Sequence, residues 1–185
     1  MTPEGLTKEG YKIQFGTNHM GPALFTQLLL PALKHTATIN SEVRVIFLSS
    51  NLSHSAPKNT YQLRDLKTTM PNIATRHRYS ISKVANIHYA AAFAERHREL
   101  KCISVHPGIV LTNLTGPLLD SYPGLIRKGI ELGLKATPIT VDKGALNQLW
   151  AATSAEARTS VFYYPVGMAS KGSKLSENEE QREKL

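Results

Sequence analysis

Tyr79 and Lys83 have the clearest capacity for chemistry in this sequence. They stand four apart, just ahead of an apolar-periodic segment running from Val84 to Leu100. On a helix that spacing puts both side chains on one face, one turn apart. A phenol with an ordinary pKa of about 10 is a poor acid–base catalyst at neutral pH. An ammonium beside it favours the phenolate, lowers that pKa and brings proton transfer within reach of neutrality. The alternative is a solvent-facing pair on an ordinary helix, which a basic chain with seven tyrosines can produce by chance. What surrounds the pair decides between the two.

The elements that must position it can be read from the pattern. Val43 to Ser50 is short, β-branched, aromatic and nearly all apolar, which predicts a strand covered on both faces, as in a parallel sheet. Residues 51–77 are polar and irregular, and a connection of that length in a compact domain is usually functional. A helix is predicted from about Arg78 to Leu100, rich in alanine and so able to pack closely. Lys101 to His106 is a second strand, ended by Pro107-Gly108. Strand, helix, strand in this order is a right-handed βαβ unit. Ligands of such sheets bind beyond the carboxyl ends of the strands. There Ser49 and Ser50 end one strand, His106-Pro107-Gly108 ends the next, and Tyr79 begins the helix between them.

The flanks are less distinct. Residues 1–10 read as a loop, with Thr7 a weak helix cap. Apolar positions from Tyr11 to Leu33 recur at helical spacing, interrupted by Pro22. That proline has no N–H for the Asn18 carbonyl, so either the helix bends with this carbonyl free, or it ends near Gly21 and another begins. Leu125 to Leu134 reads as a short helix. Pro138 to Thr153 reads as another, capped by Thr140, with Leu146, Leu149 and Trp150 on one face. Ser160 to Tyr164 is a third strand, and residues 170–185 form a charged tail in which Glu177, Glu179, Glu180 and Glu183 face solvent.

Composition fits one α/β domain: 185 residues, 41% hydrophobic, 19% charged. A net charge of +8 and a pI near 9.6 suit an anionic partner such as a phosphorylated cofactor. The basic residues are scattered without a run, so nucleic-acid binding is not expected. The lone Cys102 excludes an internal disulfide and, in an apolar run, reads as a buried, inert thiol. One cysteine fits a reducing compartment, and a cytoplasmic location is expected; Met1 to Gly5 lacks the basic and apolar regions of a signal peptide, but a missing N-terminus could carry a targeting or membrane segment. The seven histidines show no metal-ligand spacing, and no metal is expected.

Taken in order, Asn18-His19-Met20-Gly21, Ser49-Ser50, Tyr79-Ser80-Ile81-Ser82-Lys83 and His106-Pro107-Gly108-Ile109-Val110-Leu111-Thr112 resemble the short-chain dehydrogenase/reductase family. The likeness is greatest to the branch of retinol dehydrogenases and WW-domain oxidoreductases, through Phe15 to Gly21, the long segment after Ser50, and Gln148-Leu149-Trp150-Ala151-Ala152. The resemblance implies a Rossmann-like, doubly wound parallel sheet and carbonyl–alcohol interconversion with NAD(P)(H), with NADP(H) favoured over NAD(H). It implies Tyr79 as acid/base and Ser50, rather than its competitor Ser49, on the substrate oxygen. Lys83 would bind the nicotinamide ribose and depress the Tyr79 pKa, and the Asn18 main-chain carbonyl would hold a proton-relaying water. Pro107, Gly108 and Val110 would shape the nicotinamide pocket, with Thr112 contacting the cofactor through its hydroxyl. Residues 51–77 and 113–136 would wall the substrate site. Leu114, Leu118, Leu119, Tyr122 and Leu125 there point to an apolar carbonyl or alcohol.

The Gly-rich turn that receives the pyrophosphate in this family is missing from the sequence. The chain therefore reads as the C-terminal part of the fold, one partial domain with its catalytic portion over residues 11–169. The Val43–Ser50 strand should then be an unpaired edge prone to association, including as a homo-oligomer. Cofactor binding by this chain alone should be weak. The competing expectation is a catalytically silent remnant that serves as a binding or regulatory module.

Overall fold

The computed structural model describes residues 3–58, 60–110, 116, 119–120, 122–136, 140–170 and 173–185. At its centre is a sheet in the order β1-β2-β3-β4: Arg44–Leu48, Lys101–Val105, Phe162–Tyr164 and Met168–Ala169. The first three strands are parallel, with Leu48 level with Val105, and Ser104 with Phe162. The two-residue β4 returns antiparallel against β3.

Both faces of the sheet are covered, as the unbroken hydrophobicity of β1 predicts. Phe47 and Cys102 join Tyr89, Ala90, Phe93 and Ala94 on one side, where Ala23, Leu30 and Leu33 also pack. Ile103, Val105 and Tyr163 join Ala151, Ala157, Ile46 and Trp150 on the other. Neighbouring residues of one strand thus serve opposite cores, the period of two that a pleated strand imposes. On the first side lie α1 and α3. Helix α1 is one continuous run, made of Ile13–Phe15, a π-helical turn over Gly16–Met20, and Gly21–Ala37. Between the strands of the βαβ unit come a 3-10 turn (Asn51–Ser55), a four-residue helix α2 (Leu63–Leu66) and α3 (Thr75–Arg96). Helix α4 (Gly124–Ala136) and α5 (Val141–Thr153) follow β2. The Thr140 hydroxyl accepts from Lys143 N, as the sequence predicts for a cap.

Two expectations are corrected. Thr7 does not cap a helix: it closes a tight turn onto Tyr11, with Gly10 at φ +81°, a conformation open to glycine. In α5 the buried residues are Gly144, Asn147 and Ala151, whereas Leu146 and Leu149 are exposed. Val110 lies close against that face: a Cβ on Gly144 would overlap a Val110 methyl. In the charged tail Glu177, Glu179, Glu180 and Glu183 are exposed, as the sequence predicts, and its apolar residues are docked. Leu175 and Leu185 pack beside Phe15, Tyr61 and Ile81, and the short α6 (Glu179–Glu183) reaches α3 through an Arg182–Glu95 ion pair.

Candidate active site

Strand β1 ends at Leu48, and the chain then places two serines with different tasks. The Ser49 hydroxyl donates to the Lys83 carbonyl at 2.7 Å and is consumed by the backbone of α3. The Ser50 hydroxyl donates to Asn51 Oδ1 at 3.3 Å and accepts from Leu52 N at 3.2 Å, capping the 3-10 turn. It also lies near enough to the Tyr79 phenol to lower that group's pKa. Lys83 lies one turn along from Tyr79, with Nζ 5.6 Å from the ring centroid and donating to the Leu48 carbonyl at 3.2 Å.

The electrostatics differ from the sequence expectation in one respect. Burial raises the Tyr79 pKa above 10, and the nearby Ser50 hydroxyl only partly offsets this. Lys83 does not offset it: burial brings Lys83 itself down to about 8, so its charge is gone before the phenol ionises.

Asn18 reaches the site through its neighbours. Its side-chain amide donates to the Ser82 hydroxyl at 3.0 Å, which in turn donates to the Tyr79 carbonyl at 2.7 Å. The Asn18 carbonyl is indeed released from the helical ladder. The π turn bonds Gly21 N to the Gly16 carbonyl, five residues back, and Pro22 has no N–H to offer. Asn86 claims the released carbonyl at 3.0 Å and donates as well to the Leu48 carbonyl at 2.9 Å. Its remaining oxygen accepts from His19 Nδ1, an imidazole that burial lowers to about 4. Asn86 ties the π turn, the end of β1 and α3 together, although nothing in the sequence reading singled it out. Its only signal is a polar residue inside an alanine-rich helix, at a position that packing buries.

Pro107 and Gly108 follow β2 on the same rim, with Gly108 at φ +87°. Asn147 fixes this end of the sheet: its amide donates to the His106 and Tyr163 carbonyls, and its oxygen accepts from Gly167 N. Val110 packs on Gly144 of α5. None of Pro107, Gly108 and Val110 hydrogen-bonds to Ser50, Tyr79 or Lys83 among the described residues. Thr112, Leu114 and Leu118 lie outside the described residues. Of the expected apolar wall, Leu119 is buried while Leu125 is 88% exposed. Cys102 is buried, and its thiol is raised to about 12. Among the described residues no three His, Cys, Asp or Glu side chains gather as metal ligands, and no helix is long and apolar enough to cross a membrane.

Ser50, Tyr79 and Lys83 thus lie at the carboxyl rim of a Rossmann-like parallel α/β sheet, and comparison with known proteins finds relatives over most of the chain. No family model matches the chain. An oxidoreductase of Schizosaccharomyces pombe is 36% identical over 158 residues, spanning 83% of this chain and 46% of that protein. A short-chain dehydrogenase/reductase of Armillaria gallica is 38% identical, spanning 82% of this chain and 47% of its own length. Human retinol dehydrogenase 14 is 32% identical, spanning 81% and 42%. A crystal structure of an uncharacterised protein from Mycobacterium paratuberculosis shares the fold, with a TM-score of 0.68 at 24% identity, over 100% of this chain and 59% of that one. The chain is a relative of the short-chain dehydrogenase/reductases, and it spans about half the length of the curated relatives it matches.

Proposed function

We propose that these residues form the proton-transfer side of an NAD(P)(H)-dependent oxidoreductase that interconverts a carbonyl and an alcohol. The observation that carries the proposal is Lys83 Nζ 5.6 Å from the Tyr79 ring centroid, with the Ser50 hydroxyl beside the same phenol. A substrate oxygen between the two hydroxyls receives a hydrogen bond from Ser50 and exchanges a proton with Tyr79. With its pKa raised, Tyr79 holds its proton at neutral pH, which makes it the acid for carbonyl reduction. In the alcohol-oxidising direction the same group must first lose that proton, so oxidation should rise with pH.

The nicotinamide end of a dinucleotide fits what is present. Lys83 and Tyr79 face a ribose, Gly108 offers a turn without a Cβ, and Pro107, the Val110 backbone and Thr112 complete the pocket that the family resemblance implies. When bound, that group supplies or accepts the hydride. The sequence holds no Gly-rich motif of the kind that receives a pyrophosphate at a helix N-terminus, so cofactor binding should be weak. The +8 balance favours NADP(H) over NAD(H). We extend the reading to an apolar carbonyl substrate, to self-association through the open side of the sheet, and to a cytoplasmic setting. Some relatives are mitochondrial or chloroplastic.

The test is turnover of apolar aldehydes at millimolar NADPH or NADH, followed by loss of the reduced nicotinamide absorbance. Slow turnover is expected, and Tyr79→Phe should reduce it by about 10²-fold or more. Absence of turnover with either cofactor, or turnover that survives Tyr79→Phe, would overturn the assignment. Submicromolar cofactor affinity would contradict the weak binding expected.

A further inference from the structure

Lys83 combines what Lys12, held by the Gly5 carbonyl, and Lys67, over the Tyr11 ring, have singly: a lone carbonyl acceptor and an aromatic face. Its Nζ has one hydrogen bond, to the Leu48 carbonyl, and lies against the Tyr79 ring. Among the described residues no carboxylate pairs with it, whereas Lys34, Lys101 and Lys184 each have an acidic partner. The Tyr79 phenol stands beside Lys83, and the Ser50 hydroxyl lies near that phenol. An amine without a counter-ion, next to a phenol and an alcohol, is the set of groups that carbonyl condensation needs.

We propose that Lys83 is a covalent capture site for aldehydes, with Tyr79 and Ser50 managing the departing oxygen. This rests on the preceding reading only for where the carbonyl oxygen sits; it requires no nicotinamide. The Nζ lone pair attacks the carbonyl carbon as the C=O π pair moves onto oxygen. A proton passes from nitrogen to that oxygen through the hydroxyl pair and gives the neutral carbinolamine. Tyr79 then protonates the hydroxyl, which leaves as water, and the nitrogen lone pair forms C=N. The resulting tyrosinate takes back the iminium proton. The sum is amine plus aldehyde giving imine plus water, and hydrolysis by the reverse path releases both. Burial helps, because an amine brought down to about 8 is neutral at pH 7 on the order of a hundredfold more often than an ordinary lysine.

The experiment treats the intact chain with butanal and sodium cyanoborohydride at pH 7, then maps modified lysines by mass spectrometry. Lys83 should carry the reduced adduct at least about tenfold faster than the surface lysines, and its rate should level off above pH 8. Tyr79→Phe should slow trapping at Lys83 about tenfold or more, while continued protection of the buried Lys12 checks that the variant is folded. Labelling of Lys83 no faster than that of surface lysines would overturn the proposal, as would indifference to Tyr79→Phe. Millimolar NADPH separates the two readings: protection of Lys83 supports cofactor binding at this site. Undiminished trapping removes the cofactor reading and leaves the capture site standing.

Discussion

Ser49 and Ser50 are adjacent and chemically identical, yet the end of a strand sends their hydroxyls in opposite directions. Ser50→Ala removes the hydroxyl beside Tyr79 and the cap on Leu52 N, so kcat/KM should fall about 10²-fold with about 1 kcal/mol of stability lost. Ser49→Ala removes only the bond to the Lys83 carbonyl and should cost a similar stability with little change in kcat/KM. Steady-state kinetics beside urea unfolding separates the two, and equal loss of activity in both variants would remove Ser50 from its role. The buried histidines give a prediction about acid. His19 and His106 are held at about 4, below their ordinary 6.5, by burial. Between those values the unfolded chain binds protons that the folded chain refuses, so stability should fall as pH drops from about 6.5 to about 4. Unfolding midpoints across that range should show the slope, and His19→Asn should flatten part of it; an unchanged slope would mean His19 is not the titrating group.

At the scale of elements, the π turn in α1 gives the site its frame. Inserting one residue into the helical repeat redirects the Asn18 carbonyl, and Asn86 joins it to Leu48 and His19. Asn86→Ala would strand the Asn18 carbonyl and an imidazole N–H in a buried place, while the Leu48 carbonyl keeps Lys83, at a cost of about 2–3 kcal/mol. Urea unfolding measures this, and a cost within a few tenths of a kcal/mol would show that the frame does not depend on Asn86. This is also where the sequence stopped being legible. The βαβ unit could be read, because a strand buried on both faces has no polar alternation and its helix no polar face. Pro22 announced a free carbonyl at Asn18, but a 3.6-residue period cannot show an inserted residue, so continuity through a π turn was not readable. Nor was the inner face of α5, where close approach selects Gly144 and Ala151 over the larger Leu146 and Leu149. Strand β4 is two residues long and carries no pattern of its own. That Tyr79 and Ser50 would share one rim followed from topology alone, whereas the sign of the Tyr79 shift depends on burial, which also takes the charge from Lys83 first, and spacing does not encode burial.

At the scale of the whole molecule, β1 is the edge of the sheet and has no strand on its outer side among the described residues. Helix α1 beside it is apolar all round: Ala23, Leu30 and Leu33 face the core, while Leu24, Phe25 and Leu28 are 61%, 64% and 70% exposed. A helix of that kind is normally buried on every side, and an open edge strand presents unpaired N–H and C=O groups to any neighbour. Opposing both is a net charge of +8, which repels like copies. The balance predicts association that grows with concentration and, because salt screens the repulsion, strengthens as ionic strength rises. Attraction between oppositely charged patches would weaken instead, so the sign of the salt effect identifies the force. Sedimentation at low and high salt should therefore show larger species at high salt, and the pair Phe25→Glu and Leu28→Lys should return the chain to monomer at both. A monomer at every salt concentration would mean that the open edge and the outer face of α1 are tolerated in water, and dissociation on adding salt would transfer the contact to charged groups elsewhere on the surface.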